Sequence, residues 1–297
     1  MNSEVCAVIV TYHPSSDFER VAEIIRPQVG RMVVIDNHSA EETLEKLRVL
    51  ASKFDFYLIE NTDNFGIGTA LNQSIRWARG YSDCEFILFF DQDSMPSDTF
   101  VSEMVADYCR HPVSERVFLV MPKIIHRVTG ITYEHYSRNG EYLVAQTSGS
   151  LLPLRVFCDE GLYREDFFID YVDYEFCLRA VAHGWKIVYA SAAVLVHNPG
   201  RVSSISILGI RNVNITNHSP LRRYYLMRNG IWTIREYAAR YPKWALDHMW
   251  QMAKEAVRVL LFEQNRAKIL GMWFRAIRDV LQSRLGKYPD GLTVRTV

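Results

Sequence analysis

Short apolar runs alternate with helically spaced segments through the first third of the chain. Cys6-Ala-Val-Ile-Val10 is a continuous apolar run, the mark of a strand buried on both faces, and Asp17–Val29 behind it has helical spacing. Arg31–Ile35 and Phe56–Ile59 repeat the strand pattern, followed by helices over Glu41–Phe54 and Gly68–Arg79, and Phe86–Phe90 is a fourth strand. Strands alternating with helices of this length predict βαβ units and a parallel sheet. Such a sheet takes its ligands beyond the carboxyl ends of its strands. The residues there are Thr11-Tyr-His-Pro14, Asp36-Asn-His-Ser39, Glu60–Gly68 and Asp91-Gln-Asp-Ser94, four polar loops expected to converge on one rim.

The second half reads less regularly, with strands expected at Val117–Val120, near Thr147–Leu152 and at Lys186–Tyr189, and a helix over Tyr174–His183. Two amphipathic helices follow, Trp244–Phe262 and Ala267–Leu285. Leu246, Met249, Trp250, Ala253, Val257, Leu260 and Leu261 form an apolar stripe on the first; Leu270, Trp273, Ile277, Val280 and Leu281 form one on the second. Such stripes suit packing on the rest of the chain, pairing with a second subunit, or lying on an anionic bilayer, and packing is the leading expectation.

Candidate chemistry gathers at the strand ends. Asp91 and Asp93 leave an apolar strand together, and next-but-one residues of extended chain lie on one side, able to share a hard divalent cation; an Asx-rich turn uses the same letters. Asn64-Phe-Gly66-Ile-Gly68 offers backbone N–H groups to a phosphate or is a plain helix entry, and Asp36 suits a base N–H, a ribose hydroxyl or a helix cap. Asp170, Asp173 and Glu175 stand among bulky apolar residues, where burial and mutual repulsion raise a carboxyl pKa as a general base requires; solvated acids in a first helical turn are the competing reading. His197, after Val194-Leu-Val196, completes an Asp/Asp/His metal set or is structural.

Composition sharpens the division between the halves. Lys plus Arg and Asp plus Glu both number 34 over 297 residues, so a uniformly basic nucleic-acid binder is not expected. The neutrality is a split: residues 1–200 hold 17 basic and 28 acidic side chains, and residues 201–297 hold 17 and 6. Five cysteines in no close spacing argue against a disulfide framework and for a reducing, cytoplasmic setting. The first residues do not read as a signal peptide and no apolar stretch reaches a membrane span, which leaves peripheral contact as the expected kind.

Taken in order, Val8-Ile-Val-Thr-Tyr12, Val34-Ile-Asp36-Asn37, Asn64-x-Gly66 with Ala70-Leu-Asn72, Phe90-Asp-Gln-Asp93, Thr147-Ser-Gly149-Ser, Asp170-x-x-Asp173-x-Glu175-x-x-x-Arg179 and His197 resemble the family-2 glycosyltransferases. Within them the chain is most similar to bacterial dTDP-rhamnosyltransferases of surface-polysaccharide biosynthesis, over roughly residues 5–230. The resemblance implies an α/β fold of the GT-A type, Rossmann-like in its nucleotide-binding half (1–93), fused to an acceptor-binding half (94–220), with a basic helical C-terminal region (221–297). It implies an inverting, metal-dependent transfer of L-rhamnose from dTDP-β-L-rhamnose to a glycan or lipid-linked glycan, of the kind that builds O-antigen.

Carried over by position, the resemblance makes Thr11, Tyr12, Asp36, Asn64, Gly66, Asn72, Asp91 and Gln92 donor-binding residues. Asp91, Asp93 and His197 hold Mg²⁺ or Mn²⁺, Asp173 is the base, and Ser148, Gly149 and Glu175 face the acceptor; Val172 departs from the family by standing where Glu is common. Arg222, Arg223 and Arg228 have planar forks suited to the donor diphosphate, and a similar Arg-Tyr-Tyr…Arg-Asn run occurs in those rhamnosyltransferases; a solvated helix face competes. The expected location is cytoplasmic, peripheral on the inner membrane's cytoplasmic face, with the C-terminal helices also able to join two copies.

UDP-galactofuranose or a UDP-hexose is the alternative donor. In another class of enzyme, Phe89-Phe-Asp91-Gln-Asp93-Ser also resembles the strand-end motif of haloacid-dehalogenase-like phosphatases, with Asp91 as nucleophile. That motif ordinarily ends the first strand of its domain, whereas three strand-and-helix units precede it here.

Overall fold

The computed structural model describes residues 2–127, 130–132, 137–138, 140–197, 203–207, 211–215 and 217–289, of which 137–138, 203–207 and 211–215 are described by backbone alone. Residues 198–200 after His197 and the end of the expected helical region, 290–297, lie outside the described residues. The chain divides into two compact units: 1–165 with 172–198, and 166–171 with 199–295.

The first unit begins β1 (Asn2–Thr11), α1 (Asp17–Ile25), β2 (Val29–Asp36), α2 (Glu41–Phe54), β3 (Tyr57–Glu60), α3 (Ile67–Ala78) and β4 (Phe86–Asp91). It continues with β5 (Met95–Pro96), α4 (Phe100–Arg110), β6 (Val117–His126), β7 (Ser137–Arg138), β8 (Glu141–Tyr142), β9 (Leu151–Pro153), α5 (Val156–Asp159), α6 (Val172–Ala182) and β10 (Lys186–His197). Eight strands form one sheet in the order β3-β2-β1-β4-β9-β6-β10-β5. β1 lies parallel between β2 and β4, and Cys6–Val10 is buried throughout, which is why that run is apolar without alternation. On α1, Phe18, Val21, Ala22 and Ile25 are buried at helical spacing against the sheet. α2 ends where Asp55 turns left-handed at φ 50°.

Three expected strands change their bounds. Lys186–Tyr189 and Val194–Val196 are two stretches of β10, interrupted against β6 by an irregular register between Ala190 and Val194, where small residues break the apolar pattern. β6 runs on past Val120 to His126. β9 is only Leu151–Pro153, because Gly149 turns the chain at φ 79°; a Cβ there would lie 2.7 Å from Pro122 Cγ and 2.8 Å from Leu195 Cδ2. α4 was not among the expected elements; it buries Phe100, Val101 and Met104.

The second unit holds β11 (Ser203–Ile207) and β12 (Arg211–Ile215), an antiparallel pair, then α7 (Pro220–Tyr237), α8 (Pro242–Phe262) and α9 (Arg266–Leu281). Ser219 caps α7 by accepting the Arg222 N–H at 3.2 Å, and Pro220 supplies the first helical φ. A small core joins Val259, Ile269 and Trp273 with Met227. Segment 166–171 is held by α7: Asn229 Nδ2 contacts the carbonyls of Phe167, Ile169 and Asp170 at 2.9, 2.8 and 3.0 Å, and Arg228 donates to those of Asp166, Phe167 and Gly286. These bonds offset a backbone in which Phe168, Asp170 and Tyr171 have φ of 65°, 61° and 66°. Asn229→Ala takes the amide donor from all three carbonyls, leaving Phe167 its bonds to Arg228 and Ile169, and is expected to lower stability by about 2–4 kcal/mol, read by guanidinium unfolding; an unchanged midpoint would show that the segment is held by other means.

Candidate active site

Backbone pairing in the first unit assembles the rim. In the parallel β1–β4 ladder Val10 lies opposite Asp91, and in β1–β2 Thr11 lies opposite Asp36. The two-residue strand β5 pairs antiparallel with the end of β10, Met95 against Val196, which brings the Asp91–Ser94 turn to His197. Ligand atoms of Asp91, Asp93 and His197 lie within 4.8 Å of one another. His197 Nε2 is 3.7 Å from Asp91 Oδ2, and Nδ1 is 3.7 Å from Asp93 Oδ1.

A chain of hydroxyls underlies these three. The Asp91 N–H donates to Ser148 Oγ at 3.0 Å, Ser148 and Ser94 share a hydrogen bond of 2.8 Å, and Ser94 Oγ meets His197 Nδ1 at 3.0 Å. Engaging Nδ1 orients the ring and leaves Nε2 toward Asp91. Burial pushes the Asp93 carboxyl above its usual range, the neighbouring His197 opposing the rise and Asp91 adding to it. Asp93 Oδ1 is buried without a hydrogen-bond donor among the described residues. An orphaned carboxylate oxygen beside a second carboxylate and an imidazole fits a divalent cation by donor type.

The other rim loops bond to one another. Asp36 is fully buried: Oδ1 accepts from Thr11 Oγ1 at 3.0 Å and Ser39 Oγ at 2.6 Å, and Oδ2 accepts the Ser39 N–H at 2.7 Å. Asn64 Oδ1 accepts from Asn37 Nδ2 and the Gly66 N–H, both at 3.0 Å, and Gly66 starts α3 at φ 85°. Gln92 clips its amide to Tyr12, accepting the Tyr12 N–H at 2.9 Å and donating to its carbonyl at 3.4 Å. Asp173 stands in the first turn of α6 with Oδ1 accepting the Tyr174 N–H at 2.9 Å, and its charge helps hold the Tyr174 hydroxyl protonated, after burial as the main cause.

Several expected site residues are occupied elsewhere. Ser148 is 3% exposed and supports Asp91 and Ser94, while Gly149 is buried and shapes the turn. Glu175 is buried against Arg179 at 3.0 Å, whose guanidinium ties down the carbonyls of Glu160 and Leu162. Asn72 is buried and braces Tyr163, its amide bonding the Tyr163 carbonyl at 2.9 Å and N–H at 3.0 Å. Arg223 is buried in ion pairs with Glu255 and Glu263, Arg228 serves the backbone carbonyls described above, and Arg222 pairs with Asp170 at 3.1 Å. Arg223 and Arg228 serve the cohesion of the second unit, and Arg222 is half-buried beside Asp170. Ser94 is the functional candidate that sequence reasoning left unassigned; its one signal is a hydroxyl directly after Asp-x-Asp.

The model of the family described as glycosyl transferase family 2 matches residues 6–161. The chain belongs to glycosyl transferase family 2. This family-2 chain is 31% identical over 249 residues to the dTDP-rhamnosyl transferase RfbF of Shigella flexneri, covering 80% of this chain and 81% of the relative. Among solved structures it is similar to S. aureus TarS (TM-score 0.59, 14% identity, 94% of this chain and 49% of that one). It is also similar to mannosyltransferase PcManGT from Pyrobaculum calidifontis, solved with GDP-Man and Mn²⁺ (TM-score 0.57, 14% identity, 94% of this chain and 87% of that one). The fold is GT-A with C-terminal helices, and the protein is a glycosyltransferase; the phosphatase reading of Asp91 falls with that assignment.

Ser94→Ala frees the His197 ring and is expected to weaken Mn²⁺ binding about tenfold, the scale of outer-shell effects on metal sites, with Ser94→Thr retaining most of it. Titration of free Mn²⁺ by electron paramagnetic resonance reads this without turnover, and equal affinity in all three proteins would leave Ser94 with no part in the site.

Proposed function

We propose that this enzyme transfers L-rhamnose from dTDP-β-L-rhamnose to a hydroxyl of a glycan or lipid-linked glycan, with inversion, in surface-polysaccharide assembly such as O-antigen synthesis. The observation that carries the reading is the Asp91/Asp93/His197 cluster with its orphaned oxygen, in a chain 31% identical to a dTDP-rhamnosyl transferase. A UDP-hexose or UDP-galactofuranose donor is the second reading, since a carboxylate and imidazole cluster suits the diphosphate of any such donor. The enzyme works peripherally on the cytoplasmic face of a membrane.

In this reading Asp91, Asp93 and His197 hold Mg²⁺ or Mn²⁺, which when bound supplies positive charge to the leaving diphosphate. The Thr11–Asp36 and Asn64–Gly66 networks shape the nucleoside pocket, and Gln92 couples it to the metal turn through the Tyr12 backbone. Asp173 accepts the proton of the acceptor hydroxyl as its oxygen attacks the anomeric carbon from the face opposite the leaving group. A single displacement needs no covalent nucleophile.

Two outcomes test this. Asp173→Asn is expected to lower transfer by about 10²–10⁴-fold, the usual worth of a general base, while dTDP binding by calorimetry is unchanged; full turnover removes Asp173 from the role. In a panel of nucleotide sugars with Mg²⁺, Mn²⁺ or chelator, dTDP should be released from dTDP-rhamnose and the chelator should stop it. Release of UDP alone establishes the second reading.

A further inference from the structure

The stripes expected to pack inward point outward. On α8, Leu246, Met249, Trp250, Val257 and Leu261 are exposed, while only Trp244, Ala245 and Val259 are buried. On α9, Leu270, Phe274, Ile277 and Leu281 are exposed, and a separate face carrying Ile269, Met272, Trp273, Ala276 and Val280 is buried. The exposed positions recur every three or four residues on α9, and those on α8, at i, i+3, i+4, i+11 and i+15, share one side of the helix, so each helix carries two apolar faces and uses one. Phe274 is 72% and Leu281 78% exposed, and on these helices the exposed apolar residues are grouped along a face instead of standing singly.

Charge decides what covers them. Between residues 242 and 289 stand nine cations, Lys243, Lys254, Arg258, Arg266, Lys268, Arg275, Arg278, Arg284 and Lys287, and all are exposed. The four acids there, Asp247, Glu255, Glu263 and Asp279, are all buried or half-buried. Glu255 and Glu263 hold the buried Arg223, and Asp279 receives the Tyr224 hydroxyl; Glu255 also meets Arg258 at 2.7 Å and Asp279 meets Arg278 at 3.2 Å, which leaves the cations of these helices in excess of nine to four. An isologous contact with a second copy presents the same patch twice, bringing cation against cation with few carboxylates to answer them. An anionic lipid surface answers both features, since apolar side chains enter the acyl boundary while lysines and arginines meet phosphates. No helix among the described residues is long and apolar enough to cross a membrane, which suits helices lying in the plane of the surface.

We infer that α8 and α9 dock this enzyme onto an anionic lipid surface through their exposed apolar stripes, with the flanking lysines and arginines on the headgroups. This deepens the peripheral-membrane reading above and names the surface responsible. The test is flotation of the full-length protein with vesicles of phosphatidylcholine, alone or mixed with phosphatidylglycerol. Three proteins are compared: the unaltered chain, a variant with Trp250→Ser, Val257→Ser, Phe274→Ser and Leu281→Ser, and a variant with Lys254→Gln and Lys268→Gln. All the substituted side chains are exposed, and circular dichroism with dTDP binding checks that the variants fold.

The unaltered protein should float with the mixed vesicles only, and less so at high salt. The apolar variant should lose about tenfold or more in partitioning, and the charge variant several-fold. Equal flotation of all three proteins would overturn the assignment of this surface while leaving peripheral binding intact. Failure of the unaltered protein to float on either vesicle would overturn both. Sedimentation as a dimer that the serine substitutions dissociate would give the stripes to a second copy and overturn the inference.

Discussion

The parallel pairing of β1 with β4 is the constraint on which the rest of the first unit depends. Both strands are buried along nearly their whole length, so their register is set by packing on two faces, and a slip of one residue would exchange those faces. Because the strands run the same way, their polar ends emerge together, Thr11 beside the Asp91 turn. Part of the rim follows from that exit: Gln92 reaches the Tyr12 backbone across the β1–β4 ladder, while Ser148 reaches the Asp91 N–H through the pairing of β4 with β9.

The rim is also where the unit departs from polar self-sufficiency. Asp36 draws three hydrogen bonds and Asn64 is tied to Asn37 and Gly66, so these loops hold themselves without a ligand. Asp93 does not. Its carboxyl pays a desolvation penalty, faces a second carboxylate, and has an oxygen with no donor among the described residues. A cation is the kind of group that would relieve such an arrangement, and the hydroxyl chain through Ser94 and Ser148 fixes the His197 ring beside the two carboxylates.

The legible parts of the sequence were those in which one strand or helix decides its own environment. Cys6–Val10 and Glu41–Phe54 read directly, and Asp91, Asp93 and His197 were picked out because strand ends are where such sheets expose polar groups. What was lost depended on distant partners. The break in β10 at Ala190–Val194 hides one strand as two, and the turn at Gly149 replaces the first half of an expected strand. Arg223 and Arg228 look like phosphate ligands from their spacing, but Arg223 answers Glu263, forty residues along the chain, and Arg228 answers carbonyls sixty residues before it or more. Helical periodicity reports that a face is apolar and not what covers it, which is why the stripes of α8 and α9 were expected to be core.

The neutral total of the chain therefore misstates its surface. In the C-terminal helices the acids lie deeper than the cations: Glu255 and Glu263 make a buried guanidinium tolerable, and Asp279 takes a tyrosine hydroxyl. The cations are all exposed, even where they also bond inward, as Arg258 does to Glu255 and Arg278 to Asp279. Sorting the signs by depth gives these helices a more positive exterior than their composition implies. It also explains how they tolerate an uncovered apolar face, since the flanking charge keeps like surfaces apart until a surface of opposite sign is met.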